Sequence, residues 1–303
     1  MRLLLIVNVN ASAVTPWAIN VIERALSSEL EVEVARTKRQ GHATHLARGA
    51  AHEGFEMVAS LGGDGTVNEV ANGLAGTEVT MALIPGGGTN VLARSLGIPR
   101  DPIEATWYLI SNHRNPPHRI PLGRADGRHF TFACGVGLDG AIVRDVERRQ
   151  RLKRGLGHPY YVWSGLRIFF TGVDRRRPSV RVRWGPELEH ERAGLFLAIC
   201  QKTRPFTYLG SREMHVCPDA QLEKGLDCLA LDTFRFPTIL RIVGQTFGKA
   251  GHVGSPHALY LHDQQRIEVL CDQPLPVQMD GEYLGDRDRV LLELVPDALS
   301  LLY

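Results

Sequence analysis

The sequence has no C-x-x-C pair, no apolar run near the ~20 residues that span a bilayer, and a net charge of only +2. Its five cysteines, Cys134, Cys200, Cys217, Cys228 and Cys271, are scattered. That spacing argues against a disulfide framework or a zinc site and favours a reducing compartment, the cytoplasm. Basic residues are local in a nearly neutral chain, which makes nucleic acid a poor partner. There is no internal repeat and no low-complexity segment. Neither standard phosphate fingerprint occurs: Gly63-x-Gly65 lacks a third glycine, and no loop ends in Gly-Lys-Ser/Thr.

What is present is ordinary in bulk and unusual in one stretch. A chain of 303 residues with 44% hydrophobic and 22% charged residues can bury a sizeable core in two domains. The unusual stretch is Met57 to Ile98. An apolar strand, Met57 to Leu61, stops at Gly62-Gly63-Asp64-Gly65-Thr66, and Val67, Val70, Ala71 and Leu74 follow at helical spacing. A second strand, Thr80 to Ile84, runs into Pro85-Gly86-Gly87-Gly88-Thr89-Asn90 and a short helix, Val91 to Leu96. Twice, a strand opens through glycines into a helix start that carries Thr. Such turns aim bare backbone N–H groups at one spot, which suits phosphate.

Upstream, Arg2 to Val9 reads as a first strand; Leu3 to Val7 is too short for the apolar core of a signal peptide. It ends in Asn8-Val9-Asn10-Ala11-Ser12, small polar residues that suit a nucleotide-binding turn. A helix (Pro16 to Leu26), a strand (Glu31 to Ala35) and a helix reaching about His52 follow. His42 and His45 stand three apart, yet no carboxylate nearby would complete a metal site. Strand and helix alternate to Asn112, the pattern of a doubly wound parallel sheet. At Asn115-Pro116-Pro117-His118 the texture changes. Short β-branched runs follow (Phe130 to Ala133, Val180 to Trp184, Leu195 to Cys200, Leu229 to Asp232, Ile267 to Leu270, Val290 to Val295), a pattern of antiparallel β-sandwich or open barrel. The expectation is therefore an α/β domain over 1–118, with 296–303 packing back onto it, and a β-sandwich domain over 119–295.

The loops Gly62-Gly63-Asp64-Gly65-Thr66-Val67-Asn68-Glu69 and Pro85 to Asn90 resemble the catalytic domain of the diacylglycerol kinase family, which includes bacterial lipid kinases and the sphingosine and ceramide kinases. The resemblance continues through Ala133 to Asp139, Tyr208 to Ala220 and Gln278-Met279-Asp280-Gly281-Glu282, nearly the whole chain. It implies ATP-dependent phosphorylation of a hydroxyl. Nucleotide contacts then fall on Gly62, Gly63, Asp64, Gly65, Thr66, Val67, Asn68, Glu69, Gly87, Gly88 and Thr89, with Thr37, Asn8 and Ser12 beside them. The family usually has Asn-Pro-x-Ser-Gly at the first turn, and this chain departs there at Val9 and in the missing glycine.

Phosphoryl transfer also needs charge offset and a proton acceptor. Asp64 inside a phosphate loop would repel bare phosphate, so Mg²⁺ between them is the natural supposition; the alternative is helix capping. Asp280 and Glu282 lie at i and i+2 of a tight turn and can converge on one hydroxyl, or simply form a surface hairpin. The bacterial relatives imply Glu282 as proton acceptor with Asp280 assisting, while in some relatives the Asp is favoured. Those relatives also ligate a structural Mg²⁺ with an Asp where this chain has Lys224. An ammonium cannot ligate a cation, so that metal is expected to be absent.

One insertion is not sheet-like. Ala141 to Arg154 is helical and basic, and it leads through Pro159 to Phe170 into Arg175-Arg176-Arg177. Basic residues beside aromatic ones suit transient contact with an anionic membrane, placing a cytoplasmic protein at its periphery; a solvated helix over a buried one is the other reading. Taken together, the expected activity is that of an ATP- and Mg²⁺-dependent lipid kinase acting on diacylglycerol or a related lipid in the cleft between its domains. A sphingoid-base, ceramide or other hydroxyl kinase is the alternative, as is a nucleotide- or lipid-binding regulator without catalysis. Neither the lipid nor the oligomeric state is written in these residues.

Overall fold

The computed structural model describes residues 1–149, 158–172, 174–248 and 250–303. It is a mixed α/β protein with parallel strands in its N-terminal part and antiparallel strands in its C-terminal part. Residues 150–157, which include Arg151, Lys153 and Arg154 of the basic insertion, lie outside the described residues. Two compact units divide the chain, one comprising 1–122 with 295–303 and the other 123–294.

The first unit alternates β1 (Arg2–Val7), α1 (Pro16–Ser27), β2 (Glu31–Arg36), α2 (His42–His52), β3 (Met57–Gly62), α3 (Asp64–Leu74), β4 (Thr80–Pro85), α4 (Val91–Ser95) and α5 (Pro102–Asn112). β1 and β3 are nearly all apolar and buried along their length, as parallel strands covered on both faces must be. β1 pairs with β2 on one side and β3 on the other; β3 pairs with β4. The tail of a long strand, β16 (Glu282–Leu301), adds in parallel beside β4 through Ser300 and Leu301. Because β2 and β3 flank β1 on opposite sides, the winding reverses between β1 and β3. The crevice beyond the carboxyl ends of the strands at such a reversal is where open α/β sheets bind ligands.

Helix starts follow local rules. Thr15 Oγ1 accepts from Ala18 N ahead of α1, and Asp101 Oδ1 accepts from Ile103 N and Glu104 N ahead of α5. Each helix then opens on proline, which lacks the N–H that the first turn could not use. α1 buries Ala18, Ile19, Ile22 and Leu26, the stripe expected of a helix lying on a sheet.

The second unit begins with the end of β5 (His118–Ala125), then β6 (Arg128–Phe130), β7 (Ala133–Val136), α6 (Leu138–Arg148), α7 (His158–Thr171), β8 (Val180–Trp184), β9 (His190–Leu195) and β10 (Leu197–Gln201). A small hairpin, β11 (Thr207–Leu209) and β12 (Arg212–Met214), precedes β13 (Leu226–Leu231), α8 (Phe236–Thr246), β14 (Ala258–Gln264) and β15 (Arg266–Met279). The antiparallel order is β14-β13-β10-β7-β15-β16, with β8 and β9 branching from β15. The sequence reading of one strand over Phe130 to Ala133 is corrected: β6 ends at Phe130 and β7 begins at Ala133, and Thr131 and Phe132 between them are used elsewhere.

Three cysteines that are far apart in sequence form a row across this sheet. Cys200 on β10 registers with Cys134 on β7 and Cys228 on β13, all in one apolar cluster. All are free thiols. Burial pushes the Cys134 thiol up, so it packs as a small apolar side chain rather than reacting as a thiolate. Among the described residues no helix is long and apolar enough to cross a membrane.

Candidate functional site

In the first unit, four strand ends deliver polar turns to the carboxyl edge of the sheet: Asn8 after β1, Thr37 after β2, Gly63 after β3 and Gly86 after β4. The two glycine turns touch. A Cβ on Gly87 would stand 2.6 Å from Gly63 Cα, so this approach is open only to glycine. Gly86 N donates to Gly62 O at 2.7 Å, and Ala13 N from the first turn donates to Gly86 O at 2.9 Å. Three turns are thereby tied into one platform.

Their side chains are largely spent on holding that platform. Asp64 opens α3, and its Oδ1 accepts from Val91 N at 2.6 Å, so it caps the helix of the other glycine turn. The capping role expected for a helix starting near Thr66 is corrected to this one. Asn90 stands in the left-handed region (φ 51°) and closes its turn through both amide atoms onto Gly87. Asn8 Nδ2 donates to Thr66 Oγ1 at 3.0 Å. Glu69 accepts from Gly41 N and Ala43 N at 2.8 and 2.9 Å, covering the start of α2 where dipole and open N–H groups favour a carboxylate. Val67 and Asn68 are buried in α3, whereas Ser12, Gly65 and Gly88 are exposed and Thr37, Gly63, Asp64 and Thr89 are partly so.

Gly65 and Gly88 are instructive. Neither has a positive φ, and a Cβ on either would meet nothing within 4 Å among the described residues. Within a helix such a glycine costs about 1 kcal/mol relative to alanine. Neither backbone geometry nor internal packing among the described residues calls for glycine there, and the backbone at both positions is open to a close-approaching group. A nucleotide's phosphates therefore fit this edge. A magnesium ion would find one carboxylate here, Asp64, with phosphate and water oxygens left to complete its shell. Among the described residues no three His, Cys, Asp or Glu side chains are grouped to hold a metal. Of the spaced pair His42 and His45, His42 Nδ1 accepts from Lys38 N.

In the second unit, β15 and β16 join through Asp280-Gly281, both at positive φ (47° and 79°), a two-residue hairpin. The two carboxylates of this turn are held differently. Asp280 is buried, and its oxygens accept from Thr131 N (2.7 Å), Thr131 Oγ1 (2.8 Å), Phe132 N (2.9 Å) and Ala133 N (3.0 Å). Burial raises its pKa, and these four donors pull it back toward the ionised form. Glu282 is paired with Arg128.

A second layer fixes the turn. Gln278 accepts from Gly281 N at 2.9 Å and donates to Asp139 Oδ2 at 2.7 Å. Glu147 of α6 accepts from Tyr283 N at 3.0 Å. Arg128, Asp139 and Glu147 carried no sequence signal for these roles, because each acts through a partner more than 130 residues away.

The loop before β13 carries the position where the resemblance implied a structural metal. Its carbonyls are taken by an ammonium from β10's end: fully buried Lys202 donates to Gln221 O, Leu222 O and Lys224 O at 3.2, 2.7 and 2.7 Å. Burial brings Lys202 down to about 8, against the pull of Glu223, Asp227 and Asp263. With Lys202 in this carbonyl set and Lys224 in place of a carboxylate, the residues present do not fit a structural Mg²⁺.

A doubly wound α/β domain with glycine turns at its switch point, followed by an antiparallel β domain, is the class these features define. Within that class, residues 2–122 match the family model of the diacylglycerol kinase catalytic domain. The chain is 29% identical over 269 residues to a protein named "Diacylglycerol kinase" from Bacillus subtilis (strain 168), covering 88% of this chain and 84% of the relative. It is 29% identical over 284 residues to one named "Probable lipid kinase YegS-like" from Stenotrophomonas maltophilia (strain K279a), covering 90% and 86%. Its fold is shared with a crystal structure of a diacylglycerol kinase from Bacillus anthracis str. Sterne (TM-score 0.72, 22% identity, 100% and 96% covered).

Two predictions follow from the second unit. Burial pushes the Asp139 carboxyl up to about 6. The folded chain thus keeps this proton above the pH at which the unfolded chain releases it. The stabilisation is complete below about pH 4 and is lost as pH rises to about 6, at up to about 1.4 kcal/mol per pH unit. Urea titrations across that window should show Asp139→Asn with a flatter loss than wild type; parallel profiles would remove Asp139 as the cause. Lys202→Met strands three carbonyls and should cost at least about 2 kcal/mol in the same titration, while EDTA leaves the wild-type value unchanged. A chelator-sensitive wild type would show that the loop relies on a metal after all.

Proposed function

We propose that the protein is an ATP-dependent lipid kinase that passes the γ-phosphoryl group to a lipid hydroxyl, with diacylglycerol the leading acceptor. The observation that carries this reading is the pair of glycines, Gly65 and Gly88, kept where neither fold nor packing needs them. The family match over residues 2–122 and the printed names of the relatives support it.

Each residue then has a task set by its surroundings. The turns at Gly62 to Thr66 and Gly87 to Thr89 present backbone N–H groups to phosphate, with Asn8, Ser12 and Thr37 along the same edge. Asp64 braces the two turns and is the carboxylate for a magnesium ion, held through nucleotide oxygens or water. ATP with Mg²⁺ supplies the transferable phosphoryl group and offsets its charge. Val67, Asn68 and Glu69 support this edge from inside α3.

Glu282 takes the proton from the acceptor hydroxyl. Its partner Arg128 orients the carboxylate, and Asp280 anchors the turn rather than sharing the proton, because its oxygens already serve four donors. The lipid's chains are assigned to the second unit, as the family resemblance implies.

Transfer from labelled ATP to a panel of diacylglycerol, sphingosine and ceramide tests the reading. Glu282→Gln should lower turnover by about 100-fold or more, the usual reach of general-base catalysis, with little change in nucleotide affinity. Equal turnover by variant and wild type would discard Glu282 as the base. Gly65→Ala should separate fold from function. Removing a helical glycine stabilises the chain by about 0.5–1 kcal/mol, yet the added methyl weakens ATP binding measured by calorimetry. A variant that is more stable and binds ATP as well as wild type would overturn the phosphate role of this turn.

A further inference from the structure

Two helices of the second unit leave large apolar side chains in water on matching stripes. On α7 these are Trp163, Leu166 and Phe170, at i, i+3 and i+7; on α8 they are Phe236, Leu240 and Val243, at i, i+4 and i+7. Leu166 is 48% exposed and Leu240 60%. The stripes meet, for the rings of Phe170 and Phe236 lie 5.1 Å apart, and Phe169 contacts both. Behind them both helices are anchored by buried Phe169 and Ile242, which belong to one apolar cluster with Phe234. The exposed side chains are therefore not a fraying surface but the outer half of two packed amphipathic helices.

The charge around this face is predominantly positive. Arg175, Arg176 and Arg177 follow α7, and Arg235 and Arg241 flank and stud α8, all exposed. Arg175 lies over the rings of Phe169 and Phe170, at 5.3 and 5.1 Å from their centroids. Asp174 is the nearby exposed acid, and its Oδ1 is occupied by Arg176 N. Asp232, the other carboxylate at this edge, is bonded to Arg192 and His257. A cleft of about 740 Å³ opens among Phe170, Arg175, Arg176, Phe234, Arg235 and Phe236, joining the apolar stripe to the arginines.

We propose that the α7–α8 face docks on an anionic lipid bilayer, its aromatic and aliphatic side chains entering the interface while the arginines meet lipid phosphates. A protein partner with an acidic rim would answer the charge, but helices presenting apolar side chains between arginines match the layered chemistry of a bilayer surface itself. The proposal rests on the lipid-kinase reading and extends it, since a kinase of membrane lipids must meet its acceptor at such a surface. The basic stretch noted in the sequence around 175–177 is one half of this face. The other half, α8, carries one arginine with a second just before it and was invisible as a partner until the fold brought it beside α7.

Vesicle co-sedimentation of the full chain, without nucleotide, tests the docking apart from the chemistry. Wild type should bind vesicles of phosphatidylcholine with phosphatidylglycerol, bind pure phosphatidylcholine weakly, and lose binding as salt rises. Arg175→Gln/Arg176→Gln/Arg177→Gln should weaken binding by about fivefold for each charge removed, and Leu166→Ser/Leu240→Ser should weaken it without changing the salt dependence. Both variants alter exposed side chains and should keep the wild-type melting temperature and the turnover of a short-chain, water-soluble diacylglycerol. Failure of the kinase reading would show as no turnover with vesicle binding intact. Wild type that ignores anionic vesicles, or variants that bind as tightly as wild type, would overturn the docking face. So would a wild-type dimer in sedimentation that Leu166→Ser/Leu240→Ser dissociates, which would make the face a contact between copies.

Discussion

The first unit depends on two stretches of backbone coming closer than any side chain permits. Gly63 and Gly87 meet at a distance a single methyl would occupy, and the carboxylate of Asp64 crosses from one turn to cap the helix of the other. Once those turns are joined, the first turn is drawn in through Ala13, and Asn8 is aligned with Thr66. Phosphate-loop geometry is usually described as bare backbone waiting for an anion. Here much of the polar side chemistry around that backbone works on the protein itself, tying the turns to one another. Preorganised donors are worth more than donors that must be gathered.

The same economy governs the hairpin of the second unit. An Asp-Gly turn at the end of two long strands would be mobile if it relied on turn propensity alone. Asp280 instead reaches back to three consecutive backbone N–H groups between β6 and β7, and Gln278 ties the turn to Asp139. Burying a carboxylate is tolerable only because every oxygen is served. Glu282, two residues on, pairs with the side chain of Arg128. One carboxylate is thus held by backbone donors and its neighbour by an arginine.

Lys202 carries the constraint to its furthest point. A fully buried ammonium is costly unless its protons are matched, and three carbonyls of one loop match them. The loop is closed by a cation that belongs to the chain. Nearby, the row of Cys134, Cys200 and Cys228 shows the opposite strategy: polarisable side chains used as plain packing.

The alternation of strands and helices to Asn112, the glycine turns and the change of texture after residue 113 were readable directly, because hydrophobic periodicity and glycine placement are local properties. The parallel sheet of the first unit and the antiparallel strands of the second follow from that reading. Its failures were local too: a strand drawn through Thr131 and Phe132 missed that their N–H groups belong to Asp280. Which carboxylate is held by backbone donors and which by an arginine, why Glu69 faces α2, and how Lys202 meets its loop rest on hydrogen bonds between distant residues. Such bonds leave no period in the chain, and a backbone carbonyl has no letter in the sequence. The residue types were therefore set by the sequence, but their roles were assigned only when the tertiary structure decided which buried polar atoms stood opposite one another.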